Sequence, residues 1–214
     1  MKALLTPAEH ALFKKLNTPQ KVQDFLDTLP INFELAGETY MSPRRVVQTN
    51  TAHCFEGALF AAAALAYHGH TPLIMDIRTT ADDEDHVVTI FEEFDHWGAI
   101  SKTNHSILRY RDSTYRNPRE LVMSYFHEYM LNDGIKTMRE YSEPFDLSQF
   151  DPTMWVTSEE ELFWLVEALD DSPHEPVAPR QSMKRLRPGS NVEIKAMLVT
   201  EWSKRGTMYN YKVD

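Results

Sequence analysis

Cys54 is the one cysteine in the 214-residue chain. It heads an alanine-rich apolar stretch, Phe55 to Tyr67, whose composition predicts a helix capped at Asn50 or Thr51 and ended by His68-Gly69. A cysteine in a helix's first turn meets unpaired backbone N–H groups and the positive end of the dipole. Both favour thiolate over thiol. A nucleophilic sulfur also needs a base. His86 opens the run His86-Val87-Val88-Thr89-Ile90-Phe91, read as a strand, and a helix–strand–loop–strand path can return its imidazole to the helix head. Gln48 lies six residues before Cys54, where a side-chain amide can donate to an oxyanion beside the sulfur. For a group behind the imidazole the chain offers Ser101 and Asn104, with Asp112 and Asp95 as weaker substitutes. Serine accepts a hydrogen bond from the ring but brings no charge to stabilise an imidazolium.

Each residue also has a plainer reading. A lone cysteine next to a phenylalanine fits a buried structural thiol, and Gln48 fits a solvated loop. His53 suits a role supporting the loop before the helix. His68 and His70 flank a glycine at a spacing a metal can use, but no third ligand is near, so a surface turn is expected. No metal and no cofactor is implied. The run Asp82-Asp83-Glu84-Asp85 reads as a solvated loop; beside His86 it would favour the charged imidazole and attract a cationic substrate.

The elements around these residues follow from caps and periodicity. Thr6-Pro7-Ala8-Glu9 and Thr18-Pro19 start two short helices, and residues 31 to 50 read as loop. Pro72 to Ile77 predicts a strand, and Trp97 to Ser101 a third strand pairing antiparallel with the one at His86. Pro118 is expected to open a helix through Leu131, and Thr157-Ser158-Glu159-Glu160 to cap another reaching Leu169. Prolines at 173, 176, 179 and 188 mark a linker or surface loop. Val192 to Val199 and Met208 to Val213 read as strands. The domain reading is an α+β unit over residues 1–172, with 173–214 a proline-rich loop and C-terminal strands packed on it.

Helix-borne Cys54, strand-borne His86 and the strand beginning at Trp97 together resemble the transglutaminase-like branch of the papain-like cysteine superfamily. Thr18 to Leu26 looks like the helix that often precedes this core in bacterial members, and the Gln48 spacing resembles the oxyanion glutamine of papain-type proteases. The core resemblance covers roughly residues 48 to 104. It implies a helix packed on an antiparallel sheet with flanking helices, and a cysteine hydrolase or acyltransferase acting on an amide of a peptide, protein or small molecule. Hydrolysis by a peptidase or amidase is favoured over cross-linking. The family usually sets an aspartate about four residues after the tryptophan; this chain has Ser101 there. An impaired enzyme that binds a peptide or protein in the old cleft is the alternative.

The composition narrows partners. A formal charge of −10 argues against nucleic acid and anionic membrane surfaces, and no apolar run reaches the roughly 18 residues of a membrane span. With one cysteine there is no internal disulfide, and a cytoplasmic location is expected.

Overall fold

The computed structural model describes residues 1–209. In chain order, with two short 3-10 turns besides, it contains α1 (Pro7–Lys15), α2 (Pro19–Thr28), α3 (Pro43–Thr49), α4 (Cys54–Tyr67), β1 (Leu73–Arg78), β2 (His86–Glu93), β3 (His96–Ile100), β4 (Arg111–Tyr115) and α5 (Pro118–Met123). There follow β5 (Glu140–Ser142), β6 (Phe145–Asp146), α6 (Pro152–Trp155), α7 (Phe163–Asp170), β7 (His174–Pro176), α8 (Arg180–Met183) and α9 (Asn191–Met197). The strands form one open antiparallel sheet in the order β4-β3-β2-β1-β5-β7, with β6 also paired to β1. The molecule is therefore α+β, with helices on an antiparallel sheet.

Alternation along the strands divides the core between the two faces of the sheet. Ile74, Val87, Phe91 and Ile100 pack with α1, α2 and α4. Met75, Ile77, Val88, Ile90 and Ala99 pack on the other side with Leu121, Val122, Tyr125 and Tyr129. The helix α4 is sealed on nearly every side, and Ala61 to Ala64 are fully buried. Small side chains permit this close approach: the Thr89 hydroxyl on β2 donates to the Ala58 carbonyl at 2.5 Å. At Gly57 a Cβ would stand 2.4 Å from Lys102 Cβ, so only glycine lets α4 lie against the end of β3. The β2–β3 hairpin turns at Phe94 and Asp95, both at positive φ, as a two-residue connection between right-twisted strands requires.

Several expectations from sequence are corrected. Residues 31 to 50 are not all loop: Ser42 accepts from the Arg45 amide at 3.3 Å and caps α3, with Pro43 at its first position. Asn50 closes that helix in the left-handed conformation, so the N-cap of α4 is His53 and Cys54 is its first residue. The helix begun at Pro118 stops at Met123. Beyond it the chain continues in i→i+3 turns that still bury Tyr125 and Tyr129. There Arg111 draws Ser124 and Glu128 towards β4, and such tertiary contacts override helical propensity. Thr157-Ser158-Glu159-Glu160 does not cap α7, whose N-cap is Leu162: the Ser158 hydroxyl accepts from the Glu160 amide and the Ser158 carbonyl from the Ser42 hydroxyl. Val192 to Val199 is largely helical rather than a strand: Ser190 and Glu193 form a capping box, which outweighs the β-branched Val192 and Ile194 within α9. Met208 bridges Trp202 as an isolated pair, and the rest of the strand expected up to Val213 lies outside the described residues. The segment after 173 adds β7 to the sheet edge beside β5.

Lys102 is 1% exposed and, among the described residues, its ammonium is held by carbonyls and by no carboxylate. Its ammonium donates to the Leu26 carbonyl at 2.8 Å and the Leu29 carbonyl at 2.5 Å, closing the end of α2. Burial pushes its pKa down to about 8, with Asp27 and Glu201 opposing and Arg109 reinforcing the shift. Between about pH 8 and the ordinary value near 10.4 the unfolded chain holds more protons here, so stability rises with pH across that window. The cost of charging Lys102, on the order of 3 kcal/mol, is fully present below it. Relative to Lys102→Met, the wild type should therefore gain about 2 kcal/mol between roughly pH 7.5 and 10, measured by urea unfolding. A difference that stays flat with pH would contradict this account.

Candidate functional site

Cys54 opens α4 as a partly buried residue. It forms part of the wall of a cavity of about 650 Å3 between the loop before α4, the acidic loop before β2 and the segment after β3. Two imidazoles approach the sulfur. His53 Nδ1 stands 4.0 Å from Sγ, and His86 lines the same cavity, near enough to act on the ionisation of the thiol. Burial alone would raise the thiol pKa. The hydrogen bonds and charges of His53 and His86 outweigh it and hold the thiol well below its ordinary value. The helix dipole acts in the same direction.

The orientation of His86 follows from counting protons. Its Nε2 lies 2.8 Å from Ser101 Oγ, and Ser101 Oγ donates its single proton to the Leu108 carbonyl at 2.5 Å. The hydroxyl therefore accepts from the ring, Nε2 carries a hydrogen, and Nδ1 is left for the sulfur. Ser101 is itself clamped by Gln23 of α2, which donates to its carbonyl at 2.8 Å and accepts from its amide at 2.9 Å. A carboxylate at 101 could not donate to Leu108, which explains why serine fits where the resemblance would set aspartate.

His53 is held from behind. Its Nε2 lies 2.7 Å from the Thr39 carbonyl, so that nitrogen is also a donor. The same nitrogen is 3.4 Å from Glu56 and 3.8 Å from Glu34. Glu56 is 0% exposed and reaches back over the helix head. Its oxygens accept from the His53 amide at 2.9 Å, the Met41 amide at 3.1 Å, Thr39 Oγ1 at 2.9 Å and Asn32 Nδ2 at 3.1 Å. Every partner is a donor, as suits a carboxylate. Burial opposes charge on His53, yet the sulfur and Glu56 outweigh it and push its pKa up to about 9.

Of the residues singled out from sequence, the structure gathers Cys54, His86 and Ser101. Asn104 lines the cavity, but it does not back His86: its amide donates to the Trp202 carbonyl at 3.0 Å and its oxygen accepts from the Trp202 amide at 2.7 Å, pinning the C-terminal segment. Gln48 is exposed on the last turn of α3 and does not line the cavity, so the oxyanion donor expected there is not at hand. His68 donates through Nε2 to the Phe13 carbonyl at 2.7 Å, joining α4 to α1.

Sequence reasoning missed the weight of His53 and the part played by Glu56, although a polar N-cap followed three residues later by glutamate is a capping signature. It also missed that Glu34, Asp76 and Asp170 join Asp83, Glu84 and Asp85 around the cavity. Asp76 is partly neutralised. His174 donates through Nδ1 to the Ser172 carbonyl at 2.7 Å, so its Nε2, 3.1 Å from Asp76, shares a proton with that carboxyl. Burial and Asp85 raise the Asp76 pKa against the opposing pull of His174 and Arg78. Among the described residues no helix is long and apolar enough to cross a membrane. No protein-family model and no curated protein matches the chain.

Proposed function

We propose that the protein is a transglutaminase-like cysteine enzyme with a papain-like core that hydrolyses an amide next to a cationic group. The observation that carries this reading is a sulfur at a helix N-terminus, flanked by imidazole nitrogens, at the wall of an open cavity. The thiolate of Cys54 attacks the carbonyl carbon and the C–N bond breaks. The leaving nitrogen takes a proton from His86 Nδ1. Water then attacks the thioester, returns a proton to the same nitrogen, and releases the acid and the thiolate. The Cys54 backbone amide, at the first position of α4, is the oxyanion donor this reading requires.

Carboxylates set the substrate class. The ammonium of Lys102 is committed to the end of α2, so Glu34, Glu84 and Asp85 leave the cavity predominantly negative. Among fluorogenic peptide amides, those bearing lysine or arginine beside the scissile bond should exceed the glutamate-bearing ones in kcat/KM by at least about tenfold, the lower end of electrostatic attraction by a charged cleft. The gap should narrow in Glu84→Gln/Asp85→Asn, and Cys54→Ala should abolish turnover of all of them. Failure of every amide, with cationic peptides still bound equally by the wild type and Cys54→Ala, would replace the enzyme by a peptide-binding module.

A further inference from the structure

We infer that His53, rather than His86, is the resident counter-charge of the Cys54 thiolate, which leaves His86 free to act as the proton carrier; this assignment rests on the cysteine-enzyme reading above. The two rings are held by different chemistry. Behind His86 stands a neutral hydroxyl, Ser101, whose own proton is spent on Leu108. Behind His53 stand the Thr39 carbonyl at 2.7 Å and the Glu56 and Glu34 carboxylates at 3.4 and 3.8 Å. A positive ring is stabilised by such a set, and a neutral hydroxyl supplies no comparable field.

Proton positions agree with this division. His53 Nε2–H is committed to Thr39, and the other ring nitrogen, Nδ1, stands 4.0 Å from the sulfur. With a proton on that nitrogen, His53 donates to the thiolate and carries a full charge. The groups facing it are Cys54, with His86 also acting on that sulfur, Glu56 on its own helix, Glu34 from the preceding loop, and the Tyr40 ring, set perpendicular to it. The positive helix end opposes the imidazolium, and the thiolate and two carboxylates offset it. Throughout a cycle His53 keeps its proton. His86 enters acylation with a second proton, taken from solvent on Nδ1, gives it to the departing amine and regains one from water, so atoms and charge balance.

The test uses the single cysteine. Iodoacetamide alkylation of the full chain, followed between about pH 4 and 9, reads thiolate formation at Cys54 against an ordinary thiol midpoint near 8.5. The wild-type midpoint should lie well below that value. His53→Gln, whose amide can still donate to Thr39, should raise it by more than about one pH unit, and His86→Gln should move it less. Nitrogen-15 NMR of the wild-type rings gives a check free of any folding effect: at neutral pH His53 should show two protonated nitrogens. A neutral His53, or a midpoint that moves with His86→Gln and not with His53→Gln, overturns the assignment while leaving the enzyme reading intact. A wild-type midpoint near 8.5 removes the thiolate itself, and the two proposals fall together.

Discussion

Glu56→Leu should lower the unfolding free energy by about 4 kcal/mol, within the range found when one partner is removed from a buried charged cluster. Leucine has similar volume and good helix propensity, so neither packing nor the intrinsic preference of α4 accounts for a loss of that size. The loss comes from the donors left behind. The Met41 and His53 amides, Thr39 Oγ1 and Asn32 Nδ2 all point at the two oxygens of a side chain that is 0% exposed. An unsatisfied buried donor costs on the order of 1–3 kcal/mol, and rearrangement of residues 32 to 41 towards water would recover part of the sum. The melting temperature should fall by roughly 10 °C for a domain of this size. A Glu56→Leu protein within about 1 kcal/mol of the wild type would show that the cluster is dispensable. Because Thr39 also receives the His53 ring, the same substitution should loosen the imidazole at the sulfur. Stability and the site are joined at this carboxylate.

The elements closest to Cys54 were the most legible ones. A run of alanines between a polar entry and His68-Gly69 admits few alternatives to a buried helix, and β-branched runs separated by two turn residues admit few to a hairpin. Both depend on contacts near in sequence. Gln48 shows the opposite case. Its six-residue spacing from Cys54 suggested proximity, but the chain spends those residues finishing α3 and turning at Asn50, which leaves the amide on the exposed side. Ser42-Pro43, a hydroxyl cap followed by proline, is the local signal for that helix. For a different reason, Asn104 does not back His86. Its partner, Trp202, lies 98 residues away, and no local pattern encodes such a pairing.

The third position separates what residue type conveys from what geometry conveys. From sequence, Ser101 stood out as a missing charge. In the fold it is a correctly oriented acceptor, because Leu108 takes its proton and Gln23 fixes its backbone. The charge reappears around the other ring, where Glu56 and Glu34 face His53. Neighbouring residues 53 and 54 thus act as a pair on the tip of one helix. The sequence gives their adjacency, but the carboxylates that set the ring's charge come from residue 34 as well as 56.

Such a separation of roles makes turnover and thiol reactivity respond differently to a single substitution. His86→Gln should reduce kcat on a cationic peptide amide by about 10²–10⁴, the usual contribution of a positioned acid–base group. KM should change little, because the ring is not among the carboxylates proposed to recognise the substrate. Glutamine keeps a polar side chain near Ser101, yet it cannot give a proton to a departing amine or take one from water. Alkylation of Cys54 at about pH 6 needs no such exchange and should fall less than about tenfold, since His53 and the helix head still favour the thiolate. Rapid quench of a single turnover would locate the block in chemistry rather than product release. Equal losses in alkylation and amide turnover would mean that His86 acts by ionising the sulfur, and the two rings would then have to exchange the roles assigned to them.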